Sequence, residues 1–421
     1  MKLELDILNI KDVRFTEKTG ISKGVIHINR QELQELLQQD KRFSEVDIEL
    51  AHPGERCRVV PVFDVIEPRS KMGGIGENFP GALGRIKSAG EGRTRVLRGA
   101  AVVTIDCTAG GPRRPRLIDM AGPGATLGLY GNLQNIVIIC PPVNGIAPSD
   151  YLNALRAAGL KAAVYLAEAA KDLQGDETEV YNLGPLTEAG REMTHLPRVA
   201  YIYQIDGRQH MLEKPTNEPV FYGDNVSRLL PTIVHPNEIL DGALVRGYAY
   251  GEAQETFDIQ NHPMIRELYN RHGTDLCFVG VVITVGQFTE PERERSAAIA
   301  ANLVKSVLGA DGAVFTRTGG WATHVDMMQT ADLCEELGIK TAVVAQSVSR
   351  DDDTAESALV FSTPRVDAVV NVGNFGKSIT LPAMERIIGS PVEGEIKVTT
   401  DYDIDGANNT IGASRVRMRE I

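Results

Sequence analysis

"LCFVGVVITV" (residues 276–285) is a nearly unbroken apolar run, the pattern of a strand buried on both faces. The run before it, "PMIRELYNRHG" (263–273), reads as a helix with a glycine stop, and "PERERSAAIAANLVKSVLG" (291–309) opens with Pro and acids and closes at Gly, as helices do. Upstream, "RVAYIYQID" (198–206) is rich in strand formers. Downstream come a strand, "GAVFTR" (312–317), a helix, "VDMMQTADLCEELG" (325–338), and a strand, "IKTAVVAQS" (339–347). A short helix and a last strand, "VDAVVNVGN" (366–374), close the series. Strands alternating with helices imply α/β architecture with a doubly wound parallel sheet of the Rossmann/flavodoxin kind.

The N-terminal part is less regular. "GVIHINRQELQELLQQD" (24–40) reads as a strand leading into a helix, while "RCRVVPVFDVIEP" (56–68), "RGAAVVTIDCT" (98–108) and "QNIVIICPPV" (134–143) read as strands. The strongest helix is 149–173, with Ser149 or Asp150 as its cap. The polar stretch 174–197 reads as a linker. The expected division is an N-terminal α+β domain over 1–195 and a doubly wound domain over 196–421 with an inserted loop at 207–262.

Charge and composition remove several functions. With 421 residues, 43% hydrophobic, and 56 acidic against 44 basic side chains, the chain carries a net charge of −12. Its longest basic run is "GPRRPR" (111–116), too little for a nucleic-acid partner. No apolar run approaches the ~18 residues of a membrane span, and "MKLELDILNI" lacks a signal peptide's features. The five cysteines are an odd number without zinc-type spacing. Together these features lead to the expectation of a reduced, cytoplasmic protein without membrane or nucleic-acid partners.

Two suggestive motifs fail on inspection. "MGGIGENFPGALG" (72–84) has Phe79 where a dinucleotide fingerprint needs its third glycine, so it reads as a surface or interface loop. "DYDIDG" (401–406) has Gly412 where a calcium loop needs a bidentate Glu, and reads instead as a hairpin turn. Cys57, Cys140, Cys277 and Cys334 sit in apolar or amphipathic runs, as small hydrophobes do. Cys107 is the exception, because Arg113, Arg114 and Arg116 follow closely enough to lower its pKa. The histidines show no metal-binding spacing.

Ligands of parallel sheets bind at the carboxyl ends of the strands. Those ends here are Gln204 to Arg208, Thr284 to Gln287, 318–326, 346–353 and 371–378. They gather His324, Asp326 and Arg350 as candidate catalytic residues, and Trp321, Asp351 and Asn374 as candidate substrate contacts.

Several segments resemble, in the same order, the component B proprotein of glycine, sarcosine and betaine reductase, with the D-proline reductase proprotein as a related case. They are "GEGRTRVLRGAAVVT" (90–104), "IDMAGPGA" (118–125), "PTIVHPNEILDGALV" (231–245), "HPMIRELYNRHGTDLCFVGVVIT" (262–284), "GADGAVFTRTGGWATHVDMM" (309–328) and "LPAMERIIG" (381–389). The resemblance implies a proprotein that cuts itself before an internal cysteine, which becomes a pyruvoyl group. That ketone captures the substrate amine, and a partner subunit bearing a thiol or selenol splits the C–N bond.

In that family the cysteine follows an Asp-Gly-Ala-aliphatic-Val stretch, which is Asp241–Val245 here, and its place falls near Ala249. Alanine has neither a nucleophile nor a β-leaving group. No serine occurs between Ser227 and Ser296, and the only cysteine in that interval is Cys277. The expectation is therefore a chain that stays uncut and carries no pyruvoyl cofactor, with Tyr248 packed over the site. Two functions remain open from the sequence: an enzyme subunit acting with a thiol- or selenocysteine-bearing partner on a small amine or amino-acid derivative, or a non-catalytic scaffold for that partner. A free-standing nucleotide-binding protein is the weaker third.

Overall fold

All nine residues of Cys277–Val285 are buried, and they form the second strand of a six-stranded sheet in the computed structural model. The structure describes the chain except residues 109–115, 190–192, 206–219, 227–228, 247–253, 288, 318–320, 348–360, 367, 375–377, 391, 393, 408–409 and 413–421. At 321–322, 346–347, 373–374 and 401–402 it describes the backbone only.

Across the sheet the strands run Thr232–Val234, Cys277–Val285, Arg198–Ile205, Gly312–Arg317, Lys340–Ser347 and Val369–Asn374. Only the first is antiparallel to its neighbour. Numbered along the chain, the five parallel strands lie in the order 2-1-3-4-5. Alternation along Arg198–Ile205 feeds both faces. Tyr201 and Tyr203 pack with Ile265 and Leu268 of the helix Pro263–Arg271. Ala200 and Ile202 pack on the other face with Ala300 of Glu290–Asn302 and Met328 of Trp321–Glu336. The sheet is thus doubly wound, as the apolar runs imply.

The N-terminal part holds two further four-stranded sheets. One runs Glu177–Asn182, Lys2–Asn9, Gly92–Arg98, Arg69–Gly73, and the other Asp47–Ala51, Gln134–Ile139, Ala100–Ile105, Val62–Ile66. The 21-residue helix Pro148–Glu168 covers them, burying Tyr151, Leu155 and Leu166 in a core shared with Ile66, Leu97 and Val102.

Four local expectations need correction. The long helix starts with Pro148, capped by Ala147 and not by Ser149 or Asp150; proline suits this position because its missing N–H would have no partner there. The polar stretch read as a linker contains the strand Glu177–Asn182, which pairs antiparallel with Lys2–Asn9 and so belongs to a sheet. "DYDIDG" is not a hairpin turn: Thr400–Asp403 is a helical turn, and Asp405 is 3% exposed because it pairs with Arg116. The region read as an inserted loop includes the strands Thr232–Val234 and Leu244–Val245 and the helices Pro236–Leu240 and Thr256–Gln260. The short helix expected before 366 falls mainly on residues outside those described.

The chain also returns. Arg386–Gly389 pairs parallel with Cys57–Val60, and beside it Arg58 Nε and Nη2 donate to Asp119 at 2.6 and 2.9 Å, both side chains fully buried. Arg58 Nη2 also donates to the carbonyl of Pro382 at 3.2 Å. The glycine-rich loop 72–84 is partly internal: Phe79 is 4% exposed, and a side chain on Gly81 would strike the backbone of Tyr222. No helix among the described residues is long and apolar enough to cross a membrane.

Candidate functional site

The strand ends of the six-stranded sheet carry a buried polar layer. Gln204, Thr284, Gln287, Arg317, His324 and Asp326 are each no more than 9% exposed. His324 and Asp326 both lie on the helix Trp321–Glu336, two residues apart, and so project to different sides of it.

Asp326 reaches the turn that follows Cys277–Val285. Its carboxylate accepts from the backbone N–H of Gln287 and lies 3.1 Å from Arg293 Nε, whose N–H also donates to the Gln287 carbonyl at 3.1 Å. Burial pushes its pKa up to about 7, against the pull of the Gln287 N–H and Arg293. Gly286 makes the approach possible, since a Cβ there would come within 2.5 Å of Thr323 Cγ2.

His324 is completely buried. Burial, reinforced by the charge of Arg317, lowers its pKa to about 3 against the backbone of Phe361, so the ring is neutral at physiological pH. Trp321 opens the same helix and Asn374 ends the last strand, opposite Ser347. Their side chains, and Arg350, Asp351 and Tyr248 entirely, lie outside the described residues, as does Ala249. Among the residues the sequence singled out, the structure thus brings His324 and Asp326 to one strand edge. It adds Arg317 and Gln204, whose only sequence signal is that they end strands.

A second constellation went unread in the sequence. Glu255 joins Arg246 Nη1 at 3.1 Å, Tyr130 Oη at 3.1 Å and Arg116, and Arg116 Nε donates to Asp405 at 2.8 Å. Next to it Thr256 donates to Asp64 from its N–H at 2.9 Å and its Oγ1 at 2.6 Å, while Arg156 Nε donates to the carbonyl of Arg246 at 3.0 Å. All of these side chains are buried. Burial raises the pKa of Asp64, Asp258 and Asp405, with the neighbouring Glu255 charge adding to the rise. Arg246 and Glu255 stand on either side of the position where the resemblance places the cleavage cysteine.

Cys107 departs from expectation. Burial pushes its thiol up to about 11, and Arg116, expected to lower it, is engaged by Glu255 and Asp405. Arg113 and Arg114 lie outside the described residues. Cys57, Cys140, Cys277 and Cys334 are buried, as their apolar runs imply. Among the described residues no group of three or more His, Cys, Asp or Glu could hold a metal ion.

Comparison with known proteins adds identity to this geometry. A family model described as glycine/sarcosine/betaine reductase component B subunits matches residues 1–404. "Glycine reductase complex component B subunits alpha and beta" of Acetoanaerobium sticklandii is 36% identical over 423 residues, 100% of this chain and 96% of that protein. "Sarcosine reductase complex component B subunit alpha" of Peptoclostridium acidaminophilum is 37% identical over 391 residues, 92% of this chain and 89% of that protein. "Betaine reductase complex component B subunit alpha" of the same organism is 33% identical over 395 residues, 92% of this chain and 88% of that protein. No solved structure matches significantly. With a match of this length and identity, the chain belongs to the glycine/sarcosine/betaine reductase component B subunit family.

Proposed function

We propose that the chain is an uncleaved component B-type subunit, acting with a thiol- or selenol-bearing partner subunit to cleave a C–N or related bond of a small amine or amino-acid derivative. The observation that carries this reading is the end-to-end family match, joined to a segment 228–295 that has no serine and whose single cysteine starts a fully buried strand. The relatives are named for glycine, sarcosine and betaine. Those compounds share a carboxylate and an α-carbon, and differ in methylation of the nitrogen.

Without a ketone of its own, this subunit forms no Schiff base with the amine. Its contribution is to hold the substrate so that the α-carbon faces the partner's thiolate or selenolate. Positioning of that kind replaces a bimolecular encounter by a bound geometry. The strand-end layer of His324 and Asp326 is the proposed place, and Arg350, Trp321, Asp351, Asn374 and Tyr248 are the further residues proposed from the sequence to serve it.

Reconstitution tests the proposal. The isolated chain should release no amine from glycine, sarcosine or betaine, whereas the chain with its thiol-bearing partner and a dithiol donor should. His324→Ala should cut the activity of the complex about tenfold or more while leaving the fold intact. Turnover by the isolated chain would remove the partner from the proposal. Undiminished turnover in the His324 variant would move the site away from the strand ends and favour a scaffold role.

A further inference from the structure

Two cysteines come together at the end of the sheet that holds Ala100–Ile105 and Gln134–Ile139, a different sheet from the one whose strand ends are proposed as the working site. These two strands run parallel, with Ile105 opposite Ile139. Continued one step, that register sets Asp106 level with Cys140, and Cys107 follows. Adjacent strands lie about 4.8 Å apart and each residue rises about 3.3 Å, so the Cα atoms of Cys107 and Cys140 stand about 6 Å apart. A disulfide bridges Cα atoms about 4.4–6.8 Å apart.

Alternation alone would part the two side chains. Cys140 follows Ile136 and Ile138 into the core under the helix Pro148–Glu168, whereas Ile105 and Ile139 face the other core. The strand ends at Ile105, however, and a turn follows. The Asp106 N–H donates to the Pro61 carbonyl at 3.1 Å, and the Asp106 carboxylate accepts from the N–H and hydroxyl of Thr108 at 3.0 and 2.8 Å. Within that turn the Cys107 N–H donates to Tyr151 Oη at 3.0 Å, and Tyr151 is buried on the long helix in the same core as Cys140. The Cys107 sulfur lies over the strand end, against both the Tyr151 hydroxyl and the Cys140 N–H. We infer that Cys107 and Cys140 form a reversible disulfide, made by exchange with small disulfides and undone by dithiols.

Cys107 is half-buried and is the point of entry, while Cys140 is fully buried. The Cys107 thiolate attacks a small disulfide RSSR and breaks its S–S bond, leaving a mixed disulfide on Cys107 and releasing one RSH. The Cys140 thiolate then attacks the Cys107 sulfur and expels the second RSH. The two cysteines lose two electrons, RSSR gains them, and the two thiol protons end on the two RSH. Burial governs both rate and poise. It pushes both thiols up, Cys107 to about 11, so thiolate is scarce at neutral pH and exchange is slow. The same burial denies the reduced pair any gain from ionising, which keeps the disulfide from being strongly oxidising.

The test is oxidation of the folded full chain by oxidised glutathione at mildly alkaline pH, followed by alkylation of the remaining thiols and peptide mass mapping. The parent should lose two hydrogens and give one linked peptide pair, Cys107 with Cys140, which dithiothreitol reverses. Cys140→Ser should stop at a glutathione adduct on Cys107, and Cys107→Ser should leave Cys140 reduced. The oxidised parent should also unfold at higher urea than the reduced one, because the bridge closes a long loop in the unfolded chain. A parent that stays reduced, that stops at an adduct on Cys107, or that links another pair overturns the inference. A linked form that unfolds no later than the reduced one overturns it too, since the bridge would then strain the strand ends instead of fitting them. Should Cys140→Ser not fold, Cys140→Ala takes its place, and the linked peptide of the parent decides.

Discussion

Asp326 does two things at once: it ties the turn at Gln287 to the helix, and it does so from a buried position that holds its pKa near 7. An Asp in the unfolded chain ionises near 4. Between about pH 4 and pH 7 the folded state therefore binds more protons at this site than the unfolded state. Stability contributed by Asp326 is full below pH 4, falls as pH rises through that window, and levels above pH 7. Asp326→Asn should flatten this part of the profile, seen in denaturant unfolding at a series of pH values. An unchanged slope would show that the ion pair with Arg293 keeps the carboxylate charged throughout. The sequence gathers Asp326 with the loops at the strand ends, whereas the structure has it within the helix Trp321–Glu336, which begins before its periodic run at 325. The sequence misjudged Cys107 because nearness of Arg113, Arg114 and Arg116 along the chain says nothing of what an arginine faces. Arg116 faces Glu255 and Asp405, more than a hundred residues away.

Among the elements, those with strong periodicity were legible. Cys277–Val285, Gly312–Arg317 and Lys340–Ser347 lie within a residue or so of their apolar runs, since a strand buried on both faces leaves little choice of residue. What escaped was the pairing of the returning segment: Ser378–Leu381 and Ile396–Thr399 pair with each other, and Arg386–Gly389, only four residues long, takes its neighbour Cys57–Val60 from a distant part of the chain. That segment also supplies charges that pair with the N-terminal part. Arg386 reaches Glu49 at 2.8 Å and Glu55 at 2.6 Å, and Asp405 meets Arg116. Asp405→Ala removes one side of a buried pair and should cost about 3–5 kcal/mol, because Arg116 then keeps its charge with only Glu255 to offset it. Ending the chain after residue 377 should do more, exposing the edge of Cys57–Val60 and leaving Arg58 without the Pro382 carbonyl. Hydrogen exchange in Cys57–Val60 and Ile118–Asp119 should then rise toward the unfolded rate. Protection equal to the parent's would mean that the N-terminal sheets stand without the returning segment.

At the scale of the whole molecule the question is whether one polypeptide persists, and the fold dictates how to ask it. A cut near residue 249 would leave an N-terminal and a C-terminal piece, but these are interleaved throughout. Thr232–Val234 pairs with Cys277–Val285, Cys57–Val60 with Arg386–Gly389, and Arg198–Ile205 with both Cys277–Val285 and Gly312–Arg317. Buried ion pairs join Arg246 to Glu255 and Arg116 to Asp405 across the same point. Cut or uncut, the protein would keep its native size, so gel filtration is blind to the difference. Denaturing intact-mass measurement is not. Cleavage to a pyruvoyl end needs a serine or cysteine beside a strained, accessible peptide bond, and the segment 228–295 has no serine and only Cys277, held at the start of a fully buried strand with its thiol pushed up by burial. Thr256 has a hydroxyl, but both its N–H and its Oγ1 are committed to Asp64 at the start of a helix. The expected result is a single species near 45.8 kDa, unchanged by hydroxylamine or a hydrazine. Two fragments meeting near residue 249, or an adduct on a new N-terminus, would show that a residue other than cysteine or serine can carry the reaction here, and would return a ketone to the site.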